Sequence, residues 1–160
     1  MEINSTRDIV RQILRHHSFF FQEFSQRYAD PTQLGFVMKE ARRQDAKNRQ
    51  NSIELDNTDF DDSVLKFGWA KQQVDVREVA EKAYAWAIEN GIAKEVARVV
   101  LPEGLTSSRL YMNGTLRSWI HYCALRMKSS TQKEHREVAE AAWALILEMF
   151  PSLSEVLIDE

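Results

Sequence analysis

The chain has 160 residues and a formal net charge of −3, from 21 Lys and Arg against 24 Asp and Glu. That length suits one domain over 1–160, able to bury a core without disulfide or metal. With 44% apolar and 28% charged residues, a wholly disordered chain and a collagen are both excluded. No apolar run approaches the roughly 20 residues of a membrane span, and Met1-Glu2-Ile3-Asn4 is no secretory signal. One cysteine, Cys123, allows no internal disulfide and suits a reducing cytoplasm. The charge is too mild for the basic face of a nucleic-acid binder, although the first fifty residues are net positive and residues 51–75 are acidic. Only 5 Gly and 3 Pro interrupt the chain, so it should be mostly helical.

In chain order, Ser5 is positioned to cap a helix carrying Asp8 in its first turn and Ile9, Val10, Ile13 and Leu14 at helical spacing. The row Ser18-Phe19-Phe20-Phe21 suits extended chain, so about 18–28 reads as a strand, ended by the turn Asp30-Pro31. Leu34 to Met38 could form another short strand. Residues 42–63 read as a solvated loop. Asp75 with Glu78 predicts a helix start, with Val79, Ala83, Trp86 and Ala87 as its apolar stripe and Asn90-Gly91 as its stop. A shorter helix runs from Ile92 to Leu101, closed by Pro102. Leu110-Tyr111-Met112 precedes the turn Asn113-Gly114, and a helix follows from Thr115 to about Met127. Thr131 with Glu134 predicts the cap of a last helix reaching Phe150, and Ser152 to Glu160 reads as a partly ordered tail.

Three segments could carry chemistry. On a helix, Gln12, Arg15 and His16 share a face at i, i+3 and i+4 and form a donor-rich patch that suits phosphate or a nucleobase edge. The plain alternative is a solvated amphipathic helix. On a strand, Glu23, Ser25 and Arg27 would point to one side and Phe24, Gln26 and Tyr28 to the other, which suits either a polar ligand or an edge strand with a wet face. Arg117, His121 and Leu125 make one stripe of a helix, a cation, an imidazole and an apolar platform for an aromatic, phosphate-bearing cofactor. Arg98 is a lone charge among apolar residues and could simply snorkel to water. His16-His17, His121, Cys123 and His135 fit no standard zinc spacing, so no metal is expected. Cys123 is a poor nucleophile in an apolar helix.

The run Arg15-His16-His17-Ser18-Phe19-Phe20-Phe21-Gln22-Glu23-Phe24-Ser25-Gln26-Arg27-Tyr28 resembles the signature of flavin-dependent thymidylate synthases. That signature reads R-H-R, two residues, S, then a segment ending S-x-R-Y. A second block supports the resemblance: Glu95-Val96-Ala97-Arg98 with Leu101-Pro102, then Leu116-Arg117-Ser118, His121-Tyr122, Leu125-Arg126 and Thr131-Gln132-x-Glu134. The resemblance implies an α+β fold, mostly helical with a small antiparallel sheet. It also implies reductive methylation of dUMP to dTMP, with methylenetetrahydrofolate as carbon donor, FAD as cofactor and NADPH as reductant, in a homotetramer with shared active sites. It assigns Gln12, Arg15, Glu23, Ser25, Gln26, Arg27, Arg98 and Arg126 to dUMP, with Arg126 and Ser25 positioning the substrate. It assigns Arg15, His16, His17, Gln22, Glu23, Arg117, His121 and Leu125 to the flavin. No protein nucleophile is required, since the cofactor carries the hydride chemistry.

The sequence departs from the pattern in three ways. His17 stands where the signature has its second arginine, and an imidazole is a weaker, pH-dependent partner for phosphate than a guanidinium. Phe20 stands at the signature serine. The family's N-terminal segment, whose histidine motif lines the flavin and folate pocket, would precede Met1. An alternative expectation follows: a shortened, non-catalytic homologue that binds nucleotide or flavin and pairs with a partner chain carrying that segment.

Overall fold

The first residues pair into a sheet instead of capping a helix. The structure, a computed structural model describing residues 1–155, begins with strand β1 (Glu2–Thr6). Helix α1 (Arg7–Ile13) follows directly. Ser5 is therefore a strand residue. The N-cap is Thr6, whose hydroxyl donates to the Asp8 carboxylate at 2.5 Å and makes no side-chain cap to the helix backbone. Strand β2 is only Phe20–Glu23. The predicted strand over 18–28 stops there because the last ladder-like bond, Phe24 N–H to Arg109 C=O at 2.8 Å, gives way to a turn. In that turn the Ser25 carbonyl accepts from the N–H groups of Tyr28 and Ala29.

A 3-10 turn at Pro31–Leu34 is capped by Asp30, as Asp30-Pro31 suggests. Leu34 to Met38 contributes one bridge, Phe36 with Thr106, and no full strand. Residues 42–63 are more ordered than a solvated loop. Strands β3 (Arg42–Gln44) and β4 (Ser52–Glu54) form an antiparallel hairpin. Its tip is tied by the Asp45 carboxylate, which accepts from the backbone of Lys47 and Asn48.

Helix α2 (Phe60–Glu89) starts fifteen residues before the predicted cap. Asp59 is the true cap, accepting from Asp62 N–H at 3.1 Å, and Asp61 and Asp62 favour the positive helix end. Asp75 lies mid-helix, paired with Lys71. The first half escaped notice because its apolar residues, Phe60, Val64 and Phe67, face outward. Asn90 closes the helix and Gly91 follows at φ 76°, a left-handed conformation that suits glycine. The region 92–101 holds only α3 (Lys94–Ala97) and a 3-10 turn at Arg98–Val100.

Strand β5 (Ser107–Asn113) is the centre of a three-stranded antiparallel sheet of order β1-β5-β2. Its Ser108, Leu110 and Met112 face the core while Tyr111 and Asn113 face out. Helix α4 (Leu116–Arg126) fills the expected span within one residue at each end, and Thr115, read as its first residue, is its cap. Helix α5 (Lys133–Met149) begins after Gln132, and Thr131 is buried without capping it. The main core lies between the sheet, α1, α4 and α5, and contains Ile9, Ile13, Trp119, Tyr122, Cys123 and Trp143. Gly114 is required by close approach: a Cβ there would meet the Phe19 ring, itself packed edge-on to Trp119. Of the predicted tail from Ser152, residues 152–155 belong to a 3-10 turn at Pro151–Glu155, and 156–160 lies outside the described residues.

Candidate functional site

Helix α1 ends at Ile13, and Leu14 to His16 continue as a tight turn in which His16 N–H donates to Ile13 C=O at 3.0 Å. Gln12, Arg15 and His16 thus do not share a helical face. Gln12 and His16 nevertheless converge, on a residue that the sequence reading weighs only for zinc, His135. The imidazole of His135 is fully buried on α5, with Nδ1 3.3 Å from Gln12 Oε1 and Nε2 3.1 Å from the Tyr122 hydroxyl. The His16 ring stands edge-on to Tyr122 and to His135, at 4.8 and 6.2 Å between centroids. Arg126, at the end of α4, donates from Nε to His16 Nε2 at 2.9 Å. One signal in the sequence could have found His135: it heads the buried stripe Ala139, Ala142, Trp143 and Ile146 and is the polar member of it.

Electrostatics follow from burial. His16 is pushed down to about 4 by burial and by the Arg126 charge. His135 is pushed to about 4 for the same two reasons, with His16 adding to them. Both rings are neutral near pH 7, which the acceptor role of His16 Nε2 requires. Burial lifts Cys123 to about 12 and raises Tyr122, so neither ionises in use. Cys123 is a core residue, as the sequence suggests.

The polar contacts continue outward. Gln12 Nε2 donates to Gln132 Oε1 at 2.7 Å, and Gln132 Nε2 donates to Glu134 Oε2 at 2.9 Å. Glu134 pairs with Arg42 of the β3–β4 hairpin. Burial would raise the Glu134 carboxyl, but a backbone N–H, Gln132 and Arg42 together hold it below its ordinary range. Gln132 also lines a cleft of ≈ 580 Å³ under the hairpin, beside Lys39, Arg42, Arg49, Trp69 and Lys133.

A second cluster forms elsewhere. Arg27 grips Glu95 through Nε and Nη2 at 3.3 and 3.1 Å. Arg98 Nε donates to the Glu95 carbonyl at 3.2 Å, and Lys94 reaches the Tyr28 carbonyl at 3.3 Å. The turn 25–28 therefore docks on α3 and brings Arg27 and Arg98 together. Glu23 is half-buried and accepts from Arg7 at 3.3 Å and Ser108 at 3.0 Å. Ser25 is exposed, and its Oγ accepts from Arg27 N–H at 3.4 Å. Gln26 is buried with Nε2 unpartnered. The predicted strand alternation of Glu23, Ser25 and Arg27 fails past Glu23, where the chain turns. Gln22, Arg15 and His17 are exposed. Arg117, His121 and Leu125 form an exposed stripe of α4, as their spacing implies. No hydrogen bond or ion pair joins the Arg126 cluster to the Arg27 cluster among the described residues.

Solved structures share this architecture. The UMP/dUMP methylase PolB from Streptomyces cacaoi, bound with 5-Br UMP, superposes with a TM-score of 0.75 at 25% identity, over 94% of this chain and 68% of that one. Its complex with 5-Br dUMP gives 0.74 at the same identity. Among sequences, a flavin-dependent thymidylate synthase of Synechocystis sp. is 50% identical over 158 residues, 98% of this chain and 69% of the relative. A probable flavin-dependent thymidylate synthase of Paramecium bursaria Chlorella virus 1 is 44% identical over 157 residues, with the same coverage. The profile described as Thymidylate synthase complementing protein matches residues 1–152, and the chain belongs to that family.

Proposed function

We propose that the chain is a flavin-dependent thymidylate synthase, converting dUMP to dTMP with methylenetetrahydrofolate, FAD and NADPH. The observation that supports it most is the pairing of both signature blocks, Arg126 with His16 and Arg27 with Glu95, within a chain half identical to a named synthase. The relatives named above are synthases, which favours this reading over the non-catalytic alternative.

Substrate recognition is assigned to Gln12, Arg15, Glu23, Ser25, Gln26, Arg27, Arg98 and Arg126. Arg126 uses Nε on His16, a contact that leaves its terminal nitrogens available for a ligand. Arg15 makes no ion pair among the described residues and offers its whole fork to a phosphate. Arg27 enters with its charge shared by Glu95, and a phosphate would compete with that carboxylate. The unpartnered Gln26 amide gives a buried donor to the same loop.

The flavin is assigned to Arg15, His16, His17, Gln22, Glu23, Arg117, His121 and Leu125. The donor set fits an anionic, planar group: Arg117 and His121 stand exposed one turn apart with Leu125 beyond them, and Arg15 and His17 are exposed at the end of α1. FAD, reduced by NADPH, supplies the hydride when bound. The protein's share is to orient the uracil ring, neutralise phosphate charge and keep His16 neutral as an acceptor. No hydrogen bond or ion pair joins the two clusters among the described residues, which supports a homo-oligomer, a tetramer by resemblance, whose partner subunits complete the site.

Release of tritium from dUMP labelled at C5, with FAD, NADPH and folate present, tests this directly, because methylation must displace that hydrogen. The expected result is release dependent on all three. The chain spans 69% of the length of the two most similar relatives named above, so the assay is run alone and with a polypeptide carrying a relative's remaining segment. No release in either arm would reject the activity.

A further inference from the structure

Gln12 belongs to the proposed dUMP site, and this inference rests on that reading. Its amide has a donor end and an acceptor end of similar size, so a nucleotide would meet a fixed pattern only if something fixes the orientation. The contacts around it form a chain in which each direction is forced. A carboxylate only accepts, so Glu134 turns the NH2 of Gln132 toward itself. The Gln132 oxygen then faces Gln12 and accepts from its Nε2 at 2.7 Å. That leaves Gln12 Oε1 toward His135, whose Nδ1 must carry the proton, and His135 Nε2 is left to accept from Tyr122. Arg42 holds Glu134 in place. It lies on a surface hairpin, yet its side chain is only 11% exposed.

We propose that Arg42 and His135 are positioning residues for the nucleotide, acting from opposite ends of this relay to hold the Gln12 amide in one orientation. Arg42 bonds to Glu40 and Glu134, outside the assigned ligand positions, and His135 meets them only through Gln12 and the edge of His16. Two of the amide's places are spent in the relay, and its second N–H and second lone pair are presented outward in a set order. The β3–β4 hairpin, which has no assigned part in the chemistry, thereby acquires one: it supplies the charge that orients the chain of amides.

Calorimetric titration of dUMP into the FAD-loaded protein tests this through a double-mutant cycle. Arg42→Met and His135→Phe should each raise the dUMP dissociation constant about tenfold, the scale of one oriented hydrogen bond. His135→Asn, whose amide nitrogen stands where Nδ1 stood, should stay within about threefold of the parent. In a Gln12→Ala background, Arg42→Met should add nothing, because its effect runs through Gln12. Should Arg42→Met fail to fold, Glu134→Gln reads the same end of the relay, since its amide no longer forces Gln132. Full additivity with Gln12→Ala, or an unchanged constant in the Arg42 or Glu134 variant, overturns the relay while leaving the dUMP site standing. An unchanged constant in Gln12→Ala alone overturns the site assignment and this proposal with it.

Discussion

His16 accepts a hydrogen bond from a guanidinium, which an imidazolium cannot do, and a neutral ring there has a consequence for stability. Both His16 and His135 sit near 4 in the folded protein, against an ordinary 6.5. Between those values the unfolded chain binds more protons, so stability is full above about 6.5 and falls as pH drops toward about 4. Urea midpoints at about pH 7 and about pH 5 should show the loss, and His135→Asn should shrink the difference. Equal midpoints for the parent would sink this reading. Arg126 carries a separate prediction. If its terminal nitrogens meet the nucleotide, Arg126→Ala should weaken dUMP binding by about 2–3 kcal/mol, as for a lost charge-assisted contact. A calorimetric constant equal to the parent's would count against the assignment.

Elements are held by contacts that local pattern does not report. Gln73 is buried on α2 and clamps both backbone groups of Lys39, accepting from its N–H and donating to its C=O, each at 2.8 Å. This ties the extended segment after the Phe36 bridge to a helix that otherwise buries only Ala80, Tyr84 and Ala87. Gln73→Ala leaves two backbone groups without their partner and should cost about 2 kcal/mol. The urea midpoint should fall with the slope unchanged, since the surface exposed on unfolding is the same. A midpoint within error of the parent would show that water replaces the clamp. The hairpin escaped prediction for a related reason. Its strand residues are polar apart from an exposed Ile53, and it is pinned by ion pairs that cross the chain: Arg42 to Glu134, Lys133 to Glu54 at 2.6 Å, and Arg43 to Asp62 at 2.5 Å.

At the scale of the molecule, large apolar side chains are left uncovered. Phe67 is 76% exposed, Val79 69% and Trp86 60% on α2, and Met149 is 70% exposed at the end of α5. Apolar patches of this kind mark interaction surfaces. Among the described residues no helix is long and apolar enough to cross a membrane. A second copy of the chain is the occupant that the proposed shared site requires. Sedimentation velocity should therefore show an assembly, expected to be four chains, and Phe67→Asp with Trp86→Asp should shift it to smaller species. A parent that sediments as one chain at micromolar concentration would falsify the shared-site proposal.

Local chemistry was enough to set several features. Thr115 caps α4, Asn90-Gly91 stops α2, and Asp30-Pro31 turns the chain, because caps and turns depend on a few neighbouring atoms. The signature runs also placed the family and the mostly helical fold with a small antiparallel sheet. Pairing across the chain was beyond its reach. Whether Ser5 caps a helix or joins a strand depends on Ser108, its partner across the sheet. Ser25 and Arg27 leave the strand because the edge of β5 past Arg109 is taken by another segment: Ser107 N–H donates to Gly35 C=O, and Phe36 bridges to Thr106. The convergence of Gln12, His16, Tyr122, Arg126 and His135 joins residues more than a hundred positions apart, and only packing of α1, α4 and α5 around one core brings them within a hydrogen bond of each other.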